Sequence, residues 1–268
     1  EKAGDLSWIK RNNMINPHPG LPEFEYVKLS SLQEASQFLA QHAGESRPLS
    51  GGTDIFVRMR DGAWKDKYLV DVKGLDGAHS LVFDPQKGLS LGLAVNMNQA
   101  AAMPEVQEHY PLLAQAARSV ASYQLRNRAT IVGNVCNASP AGDTVGACLA
   151  YEGVLHVHGV EGERSEPLST FFKGPGLSVL KPGDIVTAIS FPLPPQGHAG
   201  KYIKLGRNAL SDLAIVGATA LGYPDKSAAS GYRFRIYLAS VAPTPARAVE
   251  AEAVLTEKPI SAEVIVEA

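Results

Sequence analysis

Leu125-Arg-Asn-Arg-Ala-Thr-Ile-Val-Gly-Asn-Val-Cys-Asn-Ala-Ser-Pro-Ala-Gly-Asp143 is the stretch on which the reading of this chain turns. From Ser122 to Thr144 apolar residues recur at neither the helical nor the strand period, and long irregular stretches in compact domains tend to be functional. Within it, Thr130-Ile131-Val132-Gly133-Asn134 can set backbone amides and a hydroxyl against a phosphate. Asn134, Asn137, Ser139 and Asp143 offer hydrogen bonds suited to a polyol or a ribose, and Arg126 and Arg128 supply positive charge. The same residues also read as a polar loop tying two units together.

Upstream lies a second stretch of the same character. Arg47-Pro48-Leu49-Ser50 reads as a short strand, and Gly51-Gly52-Thr53-Asp54 turns it into a helix through Ile55, Phe56 and Met59. A strand–turn–helix junction aims free amides and the positive end of a helix dipole at one place, which suits a phosphate. Asp54 would repel phosphate unless it caps the helix or meets a sugar hydroxyl. Neither the Walker pattern nor the spaced-glycine dinucleotide fingerprint is present. Two glycine/threonine loops, each able to hold one phosphate, favour a pyrophosphate cofactor.

Around these loops the pattern is mixed. Ser31-Leu-Gln-Glu34 reads as a capping box for a helix bearing Leu32, Ala35, Phe38 and Leu39, stopped at Gly44. Lys67–Val72 and Leu89–Ala94 read as strands. Asn98 is expected to cap a helix ended by Pro104, and Pro111 to open the next one. A helix over Val145–Tyr151 and strands at Val154–His158 and Ile185–Phe191 follow. Pro192–Gly197 marks a boundary. Past it come strands at Tyr202–Leu205, Leu213–Leu221 and Phe234–Val241, a helix over Ala246–Leu255, and another after Pro259. The expected organisation is an N-terminal arm (1–22), a two-part unit (23–197, divided into about 23–77 and 78–197) and a last unit (198–268) that reads as incomplete.

Composition bounds the function. The chain has 268 residues, 25 Lys+Arg against 27 Asp+Glu, 45% hydrophobic and 19% charged residues. It is therefore globular, with no net basic field to hold nucleic acid or an anionic membrane surface. No stretch reaches the ~18 apolar residues of a membrane span, and no apolar run follows Lys10 and Arg11 to make a signal peptide. Two cysteines, Cys136 and Cys148, are too few for an iron–sulfur cluster or a disulfide framework and point to a cytoplasmic address. His156 and His158 share a strand face without further ligands nearby. No nucleophile elbow or acid–base dyad is visible, so the chain reads as a holder of a cofactor.

In order along the chain, Leu49-Ser-Gly-Gly-Thr-Asp-Ile55, the Leu125–Asp143 stretch, and Tyr202-Ile-Lys-Leu-Gly-Arg207 with Asp212-Leu-Ala-Ile215 resemble the FAD-binding medium subunit of the molybdenum hydroxylases, the xanthine dehydrogenase and carbon monoxide dehydrogenase family. The similarity runs from about Phe24 to Leu255. It implies an α+β chain: the two-subdomain FAD fold of the vanillyl-alcohol oxidase type, then an α+β C-terminal domain. It implies non-covalent FAD held by Leu49, Ser50, Gly51, Gly52, Thr53, Asp54 and Ile55 and by Thr130, Ile131, Val132, Gly133 and Asn134. Asp143 would bind a cofactor hydroxyl, Val186 would pack near the adenine, and Tyr202 and Lys204 would lie at the cofactor. Val120 stands where some relatives place an aromatic against the adenine. Partners are a molybdopterin-binding large subunit and a [2Fe–2S] small subunit, in a heterotrimer or a dimer of heterotrimers, with no metal and no catalytic residue on this chain. The alternative is a stand-alone flavin module or a scaffold subunit. One departure stands out: the family has Gly where this chain has Val132, so Val132 is expected to be extended, with Gly133 alone taking an unusual dihedral.

Overall fold

The structure, a computed structural model, describes residues 20–208 and 212–268. The expected arm therefore lies almost wholly outside the described residues. Strand β1 (Glu25–Lys28), which carries no clear alternation, was not anticipated from the sequence. It pairs in parallel with β3 (Tyr68–Asp71), which also pairs in parallel with β2 (Ser46–Leu49), giving the order β1-β3-β2. Parallel neighbours need crossovers; here they are the helices Leu32–Gln41 and Ile55–Arg60. Ser31 caps the first by accepting from the Glu34 amide. Glu34 reaches back to Ser30, backbone and hydroxyl, rather than to the Ser31 amide, so the capping box is displaced by one residue. Gly44, at φ +80°, ends the turn beyond this helix.

A second sheet is antiparallel. It comprises β4 (Leu81–Asp84), β5 (Gly88–Gly92), β6 (Val154–Gly159), β7 (Gly162–Pro167) and, after a small hairpin of β8 (Phe172–Gly174) and β9 (Leu177–Ser178), β10 (Ile185–Phe191). The order is β4-β5-β10-β6-β7. Between β5 and β6 run short helices. Asn96, not Asn98, caps the helix Met97–Ala102, in a full box with Gln99. Pro104 does not simply end that helix but occupies the first turn of the next, Pro104–His109, where its missing N–H costs nothing. Pro111 plays the same part in Pro111–Ser119.

The core lies between this sheet and its helices, around the fully buried Tyr110, Tyr151, Phe171 and Phe191. Tyr110 satisfies its hydroxyl by donating to the Pro192 carbonyl at 3.0 Å, and burial pushes that phenol up to about 12. The third sheet is β11 (Ala199–Leu205), β12 (Val216–Pro224), β13 (Tyr232–Ala239) and β14 (Ala246–Arg247), antiparallel in that order, followed by the helices Val249–Glu257 and Ala262–Glu267. The second strand of this sheet starts at Val216 rather than Leu213, and Ala246 begins a two-residue strand instead of the helix.

Candidate cofactor site

The irregular appearance of the Leu125 stretch dissolves in the structure into two short helices, Tyr123–Arg126 and Ile131–Cys136. Each is capped from the residue before it. Thr130 is extended (φ −113°, ψ 153°), and its Oγ1 accepts from the Gly133 amide at 2.9 Å, as Ser122 does from Leu125. One-turn helices are too short to show a period in sequence, which is why the stretch reads as irregular.

The expectation for Val132 is thereby corrected. Val132 and Gly133 both lie inside the helix Ile131–Cys136, and Gly133 is not among the residues with positive φ. The Val side chain is accommodated because a helical φ suits it and it is buried against the core. Gly133 is constrained by space instead: a Cβ there would lie 2.8 Å from the Thr130 Oγ1 that caps it.

The first loop is built differently. β2 ends at Leu49, and Gly52 takes φ +74°, the left-handed turn that lets the helix Ile55–Arg60 start. A Cβ on Gly52 would meet the Phe56 ring at 2.9 Å. Asp54 occupies the cap position without a side-chain cap bond. Crowding by surrounding protein raises its carboxyl above the ordinary value, partly opposed by Arg58, although the residue as a whole is exposed.

Folding brings the two loops together. Ser50 Oγ donates to the Leu93 carbonyl at 2.9 Å and lies 3.4 Å from Thr130 Oγ1. A Cβ on Gly51 would sit 2.4 Å from the Arg128 carbonyl oxygen, so the backbones touch where Gly51 passes the second loop. Between them opens a groove of about 400 Å³, lined by Ser50, Gly51, Gly52, Thr53, Asp54 and Ile55 on one side and Thr130, Val132, Gly133 and Asn134 on the other. Val186 and Val120 also line it. Among the described residues, the amides of Gly51, Gly52, Thr53 and Asp54 donate to no protein acceptor.

Leu49 and Ile131 do not reach the groove; their side chains are buried in the core, at 5% and 1% exposure. Asp143, Tyr202 and Lys204 form a separate cluster where the third sheet meets the second unit. Asp143 accepts from the Tyr202 hydroxyl at 2.7 Å and from Lys204 Nζ at 2.9 Å. Burial, then the Asp143 charge and its hydrogen bond, hold the Tyr202 phenol strongly up. Asn134 bridges toward this cluster, its Oδ1 accepting from Thr144 Oγ1 at 2.7 Å. The sheet docks here because Gly146 has no side chain: a Cβ would strike Thr219 Oγ1 at 2.3 Å.

The two histidines of β6 differ: both ring nitrogens of His158 are buried without a hydrogen-bond partner among the described residues, Glu163 Oε1 lying 3.8 Å from its Nδ1, whereas His156 is bonded. His156 Nε2 lies 2.8 Å from Ser190 Oγ, and the described residues include no group of three or more His, Cys, Asp or Glu able to hold a metal. Burial pushes both thiols, Cys136 and Cys148, up to about 12. Sequence reasoning missed Arg47 and Trp64, which also line the groove. Arg47 stood in the quoted strand, but nothing in sequence brings Trp64 to it.

An extended groove fed by two glycine loops with free amides is chemically suited to a dinucleotide whose pyrophosphate sits mid-chain. Residues 22–194 match the family described as FAD binding domain in molybdopterin dehydrogenase. The chain belongs to that family, and so to the FAD-binding members of an oxidoreductase group. It is 30% identical to the xanthine dehydrogenase FAD-binding subunit of Escherichia coli O157:H7 over 237 residues, 88% of this chain and 80% of that one. To the carbon monoxide dehydrogenase medium chain of Hydrogenophaga pseudoflava it is 30% identical over 226 residues, 84% of this chain and 77% of that one. Among solved structures, a carbon monoxide dehydrogenase from Hydrogenophaga pseudoflava superposes with a TM-score of 0.85 at 30% identity, covering 91% of this chain and 83% of that chain. The α+β fold and FAD as the cofactor expected from the sequence accord with these matches.

Proposed function

We propose that this chain is the FAD-carrying electron-transfer subunit of a multi-subunit molybdenum-dependent dehydrogenase. In this reading it sits beside a molybdopterin-binding large subunit and a [2Fe–2S] small subunit, in a heterotrimer or a dimer of heterotrimers, and relays electrons between the iron–sulfur partner and NAD or another acceptor. The observation that carries the reading is the meeting of two glycine/threonine loops across one groove. Bound FAD supplies the ability to exchange electrons singly with an iron–sulfur carrier and in pairs with a nicotinamide.

The chain's own part is to bind and orient. The amides of Gly51 to Asp54 and of the first turn at Ile131 and Val132 hold the pyrophosphate, with the Thr53 hydroxyl as a further donor. Leu49 and Ile131 act from behind, as core residues that fix each loop. Val186 gives an apolar wall to the adenine. Asp143, oriented by Tyr202 and Lys204 beside the groove, would accept from a cofactor hydroxyl. The three sheets are read as the two FAD subdomains (23–77 and 78–197) and a C-terminal domain (198–268). Among the described residues no helix is long and apolar enough to cross a membrane. In the proposed reading the complex works in the cytoplasm, with neither membrane insertion nor a nucleic-acid partner.

Purification from the native cell tests this. Molybdenum and iron–sulfur subunits should co-purify, and trichloroacetic acid should release all yellow colour into the supernatant. Colour in the pellet would refute non-covalent binding. A chain that purifies alone and takes up no FAD would refute the function.

A further inference from the structure

Away from the two loops, the groove continues between the first helix and the segment leading into β10. Its walls there are Leu39, Leu180 and Val186, with Arg47 and Trp64 alongside. Trp64 is the only aromatic side chain among the described residues lining the groove. FAD carries two flat ring systems, and flat rings in protein sites are held by stacking against aromatic or guanidinium planes.

Arg47 is fixed as such a plane. Its Cζ lies 3.7 Å from the centre of the Trp64 ring, a close cation–π contact, and its Nε donates to Asp66 Oδ2 at 2.9 Å. Asp66 is itself buried, at 6% exposure, so the ion pair is held from behind. Among the described residues, Nε–Asp66 is the one side-chain hydrogen bond Arg47 makes, which leaves both Nη groups without a protein acceptor. A half-exposed guanidinium with one face against Trp64 and its amino groups uncommitted is equipped to stack on a second ring and to donate to ring nitrogens. A lysine could supply the charge but not the plane.

We infer that Arg47, backed by Trp64 and anchored by Asp66, is the adenine platform of the FAD site, the residue by which this chain prefers FAD to FMN. Leu39, Leu180 and Val186 would close on the base from the apolar side. The inference rests on the FAD reading above, since without FAD the groove has no base to hold.

Competition titrations on the full-length apo-chain test it, with FAD, ADP and FMN as separate probes and thermal unfolding as a check on folding. The unaltered chain should bind ADP measurably and FAD more tightly than FMN. Arg47→Ala and Arg47→Lys should each weaken FAD and ADP about tenfold or more while leaving FMN within about twofold. Trp64→Leu, which removes the backing but not the charge, should give an intermediate loss. Wild-type affinity in Arg47→Lys would overturn stacking in favour of simple charge. Equal losses for FMN and ADP in Arg47→Ala would place the residue at the flavin or the phosphates, and would also overturn the proposal. If the unaltered chain binds FAD but the Arg47 variants match it, the platform fails and the FAD reading stands. If the unaltered chain binds none of the three, the FAD reading itself fails.

Discussion

Replacing Gly51 by alanine adds one methyl group at the place where the two loops touch. That Cβ would lie 2.4 Å from the Arg128 carbonyl oxygen, 3.0 Å from the Arg128 carbonyl carbon and 3.1 Å from Ala129 Cα. All three are backbone atoms, so no side chain can swing away to make room. The loops must part by about 1 Å to restore ordinary contact, and overpacking of this kind costs about 1–3 kcal/mol. For a chain of this size that lowers the melting temperature of the apo-protein by about 3–10 °C. Parting the loops also spreads the free amides on either side of the groove. If half the strain is expressed in the bound geometry, FAD affinity falls by about three- to tenfold. Gly74→Ala is the matched control, because a Cβ there meets nothing within 4 Å and the residue is not in the left-handed region. It should be neutral, or raise stability slightly by restricting the unfolded chain. Differential scanning fluorimetry and FAD titration of both variants read the two effects. A Gly51→Ala protein with the melting temperature and affinity of the Gly74→Ala protein would refute the claim that the loops are in backbone contact.

Gly133→Val should abolish FAD binding, since its Cβ would displace Thr130 Oγ1 from the cap, whereas Val132→Gly should shift affinity by less than tenfold; a hundredfold tightening in Val132→Gly would mean the native site is impaired. Asp143→Ala leaves the partly buried Lys204 and the Tyr202 hydroxyl without their acceptor, so about 1–3 kcal/mol is lost from folding and the apo-protein should melt lower in addition to losing flavin; an unchanged apo melting curve would contradict the pairing. Asp184 titrates below its ordinary 3.8: burial opposes its charge, but Arg164 through two bonds and the Lys181 amide outweigh that cost. A carboxyl depressed on folding stabilises the fold above its unfolded value, and that contribution is lost as pH falls below 3.8 and through the lower folded value. The fall in melting temperature with acid should therefore be shallower in Asp184→Asn, and an identical slope would remove this pair from the account.

Local chemistry made much of this protein legible before folding. The helix Leu32–Gln41 with its Ser31 cap, the proline-opened helix Pro111–Ser119 and the strand at Ile185–Phe191 each carry their signal within a few residues. So do the two glycine/threonine stretches and the suitability of each for a phosphate, because free amides follow from turn and cap chemistry alone. What failed did so for lack of local signal. β1 has no alternation to announce it and its partner strand lies 43 positions further on, and the short helices around Thr130 are too brief to reveal a period. Asn96 rather than Asn98 became the cap because its box partner Gln99 and the bridge from Asn96 to Thr130 settle the register together.

The assembled site belongs to tertiary structure. That Gly51 must be glycine because Arg128 passes beside it is decided by a contact across 77 positions of chain. The meeting of Asp143 with Tyr202 and Lys204, and of Arg47 with Trp64 and Asp66, is decided by how sheets and loops pack. Sequence alone marked two stretches chemically suited to a phosphate, because that suitability lies in local turn and cap chemistry. Only the fold determined that two such places face one groove with Trp64 behind Arg47, because distances between remote segments are set by burial of the core and not by the order of residues.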